Sequence, residues 1–177
     1  MNQGNLSNVV LTGFMATGKS TVGRLVAKKL DYGFIDTDEL IEKRWGTCIA
    51  DIFAQEGEAA FREKETKIVV ELADKKGLVI ATGGGMMQNP ANVDAFSRQG
   101  TIYCLIASLD QILERIINDK NVIRPLVQVD DPLKRIQELM MARQSMYAQF
   151  IQVDTSGKTP DQVTAELVAI HADQIQS

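Results

Sequence analysis

The sequence is poor in cysteine and histidine, and it carries no surplus of positive charge. Its two cysteines, Cys48 and Cys104, stand far apart and match neither a disulfide framework nor a metal-ligand spacing. Strongly apolar runs last only a few residues, so none is long enough to cross a bilayer. Met1 to Ser7 are polar, without the basic and apolar regions of a secretory leader. Lysine and arginine number 19 against 23 acidic residues, a net charge of −4, which argues against a general nucleic-acid footprint. These absences predict a reduced, cytoplasmic protein with no membrane or nucleic-acid partner. The 177 residues, 45% of them hydrophobic, are enough for one domain over 1–177 with a buried core. No internal repeat or interdomain linker interrupts it. Of the 13 glycines, five fall in two tight groups, and these lead to the chemistry.

Short apolar runs alternate with segments of helical period. Val9–Leu11 is a β-branched run that leads to Gly13. Gly33–Asp36, Leu78–Ala81, Thr101–Ile106 and Phe150–Val153 read as further strands. Between them, Val22, Leu25, Val26 and Leu30 repeat at helical spacing, as do Leu109, Ile112, Leu113, Ile116 and Ile117. A last helix carries Val163, Leu167 and Ile170, with Pro160 in its first turn, and its lone His171 is expected at the surface. Trp45, Cys48 and Cys104 read as packing residues. Alternation of this kind predicts an α/β fold with a mostly parallel sheet covered on both faces. Ligands then gather at the C-terminal ends of the strands. Those ends carry Gly13–Ser20, Asp36–Asp38 and Gly83–Gly85.

Gly13-Phe14-Met15-Ala16-Thr17-Gly18-Lys19-Ser20 fits the phosphate-loop pattern, with a strand before it and an amphipathic helix after it. Backbone amides converge on phosphate oxygens in such a loop, aided by the positive end of the helix dipole. Lys19 would reach the outer phosphates and the Ser20 hydroxyl would ligate Mg²⁺. Asp36 and Asp38 lie two apart and project to one side of an extended segment. One could hold Mg²⁺ through water and the other could take a hydroxyl proton, while Thr37 or Asp38 could also simply cap the following helix. Three successive glycines, Gly83 to Gly85, suit either a close backbone approach to a ligand or a plain turn. Arg62 and Glu65 share a helix edge. Arg143 lies on an apolar stripe with Ile136, Met140 and Tyr147, where it must find an anion or snorkel. Arg124-Pro125-Leu126 falls in a polar stretch, about 118–131, read as a mobile lid.

In combination and in this order, these motifs resemble shikimate kinase, a small P-loop kinase of the nucleoside-monophosphate-kinase type. The resemblance runs from about Asn8 to Ile170. It implies a three-layer P-loop NTPase fold with a five-stranded sheet, a substrate-binding helical segment near 37–65 and a lid near 118–131. It implies ATP on Gly13, Ala16, Thr17, Gly18, Lys19, Ser20 and Thr21, with Arg115 and Pro160 near the adenine. Mg²⁺ would sit on Ser20 and, through water, Asp36. The 3-hydroxyl of shikimate would meet Asp38, as base or positioner. Arg62 and Arg143 would clamp its carboxylate, Glu65 would orient Arg62, and amides of Gly83, Gly84 and Gly85 would meet the substrate. Lys19 and Arg124 would stabilise the transferring phosphoryl group. A monomer in aromatic amino-acid biosynthesis is implied. The competing readings are a gluconate-kinase-like enzyme and a non-catalytic nucleotide-binding relative. Ala16 departs from the glycine usual in relatives, an added methyl that is harmless where φ is negative. Val127 departs conservatively from a common leucine.

Overall fold

The computed structural model describes residues 7–118 and 131–176. Its elements are β1 (Asn8–Gly13), α1 (Lys19–Leu30), β2 (Gly33–Asp36), α2 (Thr37–Trp45), α3 (Ile49–Gln55), α4 (Gly57–Ala73) and β3 (Leu78–Ala81). A short 3₁₀ turn (Met86–Gln88) follows, then α5 (Pro90–Ser97), β4 (Gly100–Ile106), α6 (Leu109–Asn118), α7 (Pro132–Ala148), β5 (Ile151–Asp154) and α8 (Pro160–Gln176). The five strands form one sheet in the order β2-β3-β1-β4-β5, with every neighbouring pair parallel.

β1 is the central strand and is buried along its whole length, which explains its lack of polar alternation. Its side chains divide between two layers. Val10, with Ile80 and Ile102, faces Ile41, Ile52, Phe61, Ile68 and Leu72 from α2 to α4. Val9 and Leu11, with Val79, Tyr103 and Leu105, face Val22 and Val26 of α1 and Val163 and Leu167 of α8. A third cluster joins Phe14, Cys104, Ile112, Ile136 and Tyr147 at the end where α6 and α7 pack. The register pairs Asp36 with Ala81, Leu11 with Ala81 and Gly13 with Leu105. The ends of β1, β2 and β3 therefore lie at one edge, and all three glycine- or acid-bearing loops leave from it.

Strand boundaries agree with the sequence reading to within one residue at β4 and β5. Two helices escape it. In α3, with seven residues, only Ile52 is fully buried, too little for a visible period. α5 is announced by a cap, Asn89 accepting from the Ala91 amide with Pro90 in the first turn, rather than by periodicity. His171 is not on the surface. It is 1% exposed, with Nδ1 2.9 Å from the Tyr103 hydroxyl. It follows Val163 and Leu167 at four-residue spacing, so the face that α8 turns to the sheet continues through it. Burial depresses its pKa and favours the neutral ring. Cys48 also departs from expectation: it is exposed and precedes the first turn of α3, whereas Cys104 is buried as expected.

Candidate active site

The phosphate loop leaves β1 where the strand lies tightest against β4. A Cβ on Gly13 would come within 2.2 Å of the Leu105 carbonyl oxygen, and φ there is +135°, so glycine alone fits. Thr17 Oγ1 donates to the Phe14 carbonyl at 2.8 Å and braces the loop from within. Lys19 Nζ donates to the carbonyls of Gly13 and Phe14 at 3.0 and 2.8 Å, which keeps the ammonium over the loop. Gly18 caps α1 in the left-handed conformation, and the first turn of α1 carries no acidic residue. The positive end of the helix is thus left for an external anion. Thr21, in the same turn, is exposed.

Ala16 has φ +60°, so the condition under which its methyl would be harmless does not hold. The left-handed region costs an alanine roughly 1–2 kcal/mol. Arg115 holds the strained segment: its Nη1 donates to the Ala16 carbonyl and to Thr155 Oγ1, each at 3.1 Å. Its Nη2 donates to the Thr155 carbonyl at 3.0 Å. Arg115 therefore ties the phosphate loop to the segment between β5 and α8, near whose end Pro160 lies exposed.

At the end of β2 the helix cap is Asp36, neither Thr37 nor Asp38. Its Oδ1 accepts from the Asp38 and Glu39 amides at 3.0 and 3.4 Å. The extended backbone of Asp36 turns its carboxylate back over the first turn, as an N-cap requires. The other oxygen, Oδ2, accepts from Ser20 Oγ at 2.5 Å. Two hard oxygen donors are thereby set side by side at the mouth of the phosphate loop, a set that suits Mg²⁺. Asp38 Oδ1 is shielded from solvent and has no hydrogen-bond partner. Burial, then repulsion from Asp36 and Glu65, pushes the Asp38 carboxyl up to about 7, with Lys19 opposing. A carboxyl poised there is suited to taking a proton near neutral pH.

Gly83 to Gly85 follow β3, and each makes room for a different group of the site. A Cβ on Gly83 would lie 2.8 Å from Asp38 Oδ1 and 3.0 Å from Glu65 Oε1. One on Gly84 would lie 3.3 Å from both Arg143 Nη1 and the Gly13 carbonyl oxygen. One on Gly85 would lie 2.7 Å from both Nη1 and Nη2 of Arg62. The loop is a close approach of backbone to site, not a plain turn. The Gly83 amide, however, is already engaged, donating to Thr37 Oγ1 at 3.0 Å. It is therefore not available to a ligand, contrary to the expectation for all three glycines.

Arg62 spans Glu65 Oε2 at 2.7 Å and Glu58 Oε1 at 2.8 Å, so it is held in place from α4 itself. Burial works against its charge, but the two carboxylates prevail and raise its pKa. Glu65 is almost fully buried with Oε1 unpartnered, and burial raises its pKa despite Arg62. Arg143 is 7% exposed and has an unpartnered, buried Nε. Its guanidinium lies 6.0 Å from the Phe14 ring centroid. It is buried rather than snorkelling, and it makes no ion pair among the described residues. Arg124 and most of the lid segment lie outside the described residues.

Three contributors carry no site role in the sequence reading. Thr37 and Tyr147 bond the glycine loop, the latter by donating to the Gly84 carbonyl at 2.6 Å, and Phe14 lies beneath Arg143. Tyr147 stands one turn beyond Arg143 on the same stripe, and that spacing was its signal. Thr37 is visible in the sequence only as a candidate cap between two carboxylates. The assembled edge can hold an anion on the phosphate loop, a hydroxyl at Asp38 and a second anion at Arg143.

A family model for shikimate kinase matches residues 15–171. The shikimate kinase of Thermodesulfovibrio yellowstonii is 44% identical over 165 residues, covering 92% of this chain and 94% of that protein. A solved shikimate kinase from Acinetobacter baumannii, in complex with shikimate, superposes with a TM-score of 0.87 at 35% identity, covering 95% of this chain and 94% of that one. A gluconokinase from Sinorhizobium meliloti reaches a TM-score of 0.62 at 16% identity, covering 96% and 93%, which is likeness of fold alone. With the P-loop architecture and the ordered site on one sheet edge, these matches establish that the chain belongs to the shikimate kinase family.

Proposed function

We propose that the protein transfers the terminal phosphoryl group of ATP to the 3-hydroxyl of shikimate, giving shikimate 3-phosphate and ADP for aromatic amino-acid biosynthesis. The observation that carries this reading is Arg143, a buried cation that makes no direct ion pair among the described residues and is offset only at a distance by Glu65, across the glycine loop from the unpartnered oxygens of Asp38 and Glu65. A buried charge of that kind calls for an anion from outside, and arginine suits a carboxylate in bidentate geometry. Shikimate carries that carboxylate on the same ring as the reacting hydroxyl.

Phosphoryl transfer depends mainly on positioning and charge stabilisation. Amides of the phosphate loop and Lys19 hold the ATP phosphates, with Ala16, Thr17, Gly18 and Thr21 completing the cradle and Arg115 and Pro160 flanking the base. Arg62, fixed by Glu65, and Arg143 hold the carboxylate, so the 3-hydroxyl comes to Asp38. Asp38 accepts its proton or its hydrogen bond as the oxygen attacks. Ser20 and, through water, Asp36 would hold Mg²⁺, which supplies charge neutralisation on the phosphates. Arg124, outside the described residues, adds positive charge to the transferring group. We assign the chain to the cytoplasm as a monomer that works as one domain over 1–177. No described helix is long and apolar enough to cross a membrane.

The test is turnover with ATP and Mg²⁺, followed by coupled detection of ADP. Shikimate should be consumed and gluconate should not. Turnover of another polyol acid with none of shikimate sinks the reading.

A further inference from the structure

The glycine loop after β3 is held from two sides by hydroxyl groups that belong to different elements. From α2, the buried Thr37 Oγ1 accepts the Gly83 amide at 3.0 Å. From α7, the Tyr147 hydroxyl donates to the Gly84 carbonyl at 2.6 Å. Burial pushes the Tyr147 phenol up to about 12, so it remains a donor at any working pH.

The loop held in this way is the spacer of the acceptor site. A Cβ added to it would collide with or crowd Asp38 and Glu65 at Gly83, Arg143 and the Gly13 carbonyl at Gly84, and Arg62 at Gly85, so only a bare glycine backbone fits between these groups. The loop runs between all of these groups with no room for a side chain, so its position sets the space left among them. Tyr147 also sits one helical turn from Arg143. The same stretch of α7 thus carries the carboxylate-binding cation and the group that fixes the backbone beside it. Thr37 plays the matching part next to Asp38, its neighbour in sequence.

We infer that Thr37 and Tyr147 are positioning residues that set the distance between the acceptor's carboxylate clamp and its hydroxyl-binding carboxylate by pinning the glycine loop from both sides. This rests on the proposed shikimate kinase activity. Its main effect is on the acceptor side, because neither hydroxyl bonds the phosphate loop among the described residues and the glycine loop meets that loop at the Gly13 carbonyl alone among the groups named.

The test is steady-state kinetics on the full chain. Tyr147→Phe removes one oxygen and keeps the ring in the core. It should raise KM for shikimate about ten-fold, the effect of losing one well-placed hydrogen bond, while KM for ATP stays within about two-fold by the same reasoning. Thr37→Val should shift the two KM values in the same unequal way, and Thr37→Ser, which keeps the acceptor oxygen, should restore the wild-type ratio. A purely structural tyrosine or threonine would lower thermal stability and leave that ratio alone. If the wild type turns over shikimate and Tyr147→Phe keeps its KM ratio, the inference is overturned while the activity stands. If Thr37→Val does not fold, Tyr147→Phe and the serine variant decide the matter. If the wild type does not use shikimate, the parent reading fails first.

Discussion

Replacing Arg143 by methionine should move stability and substrate affinity in opposite directions. The guanidinium is 7% exposed, its Nε is unpartnered, and its Nη1 reaches to within 3.3 Å of where a Gly84 Cβ would lie. Each charge-assisted hydrogen bond that it makes to a carboxylate is worth about 1.5–3 kcal/mol. Loss of a bidentate pair, about 3 kcal/mol at the low end, corresponds to roughly a hundred-fold rise in KM for shikimate. KM for ATP should change little, since Lys19 and the loop amides are untouched. Stability should rise instead, because a well-packed apolar side chain in place of a buried charge commonly adds about 1 kcal/mol or more. Glu65 keeps its Arg62 partner in the variant and loses only the more distant attraction of Arg143, which offsets part of the gain. For a chain of this size the gain reads as about 2–4 °C in Tm. Thermal unfolding followed by circular dichroism, beside the coupled kinetic assay, checks both signs. A lower Tm together with equal effects on the two KM values would refute the reasoning and make Arg143 a structural residue of α7.

Ala16→Gly should raise Tm by about 1–3 °C by removing left-handed strain, less the greater freedom of glycine in the unfolded chain; a fall in Tm counts against the strain at φ +60°. Asp38→Asn should leave ATP binding intact in calorimetry and abolish most turnover. In the wild type, kcat/KM for shikimate should fall as pH drops below about 7, as the Asp38 carboxyl takes up its proton. The folded state holds that proton more tightly than the unfolded chain, whose value is near 3.8, so ionisation of Asp38 costs stability progressively as pH rises from about 4 to about 7. Asp38→Asn should accordingly gain Tm over the wild type at pH 8, with the gain shrinking towards pH 4.

The strands and phosphate loop were legible because each depends on local signals. Val9–Leu11 is buried on both faces, and the loop pattern stands between a strand and an amphipathic helix. Arg143 was legible as a cation out of place on an apolar stripe. Less visible was whatever depends on a partner distant in sequence. Nothing local shows that the Asp36 carboxylate curls back to cap α2 and bonds Ser20 at once, leaving Asp38 unencumbered. Nothing local shows that α8 buries position 171 against Tyr103, or that φ turns positive at Ala16. The expectation for the Gly83 amide failed for the same reason, since Thr37 is 46 residues away along the chain.

The central place of β1 also constrains how the chain is made. Val9 finds its register partners at Val79 and Thr101, so β1, synthesised before either, must wait for both. Until then an apolar, β-branched segment is exposed, a condition that favours aggregation and chaperone capture. The nucleotide motif is therefore made ahead of the strands that complete it. A fragment that ends before β3 holds every residue of the phosphate loop yet has no sheet to shape it, so this motif cannot be lifted out as a free-standing nucleotide-binding module.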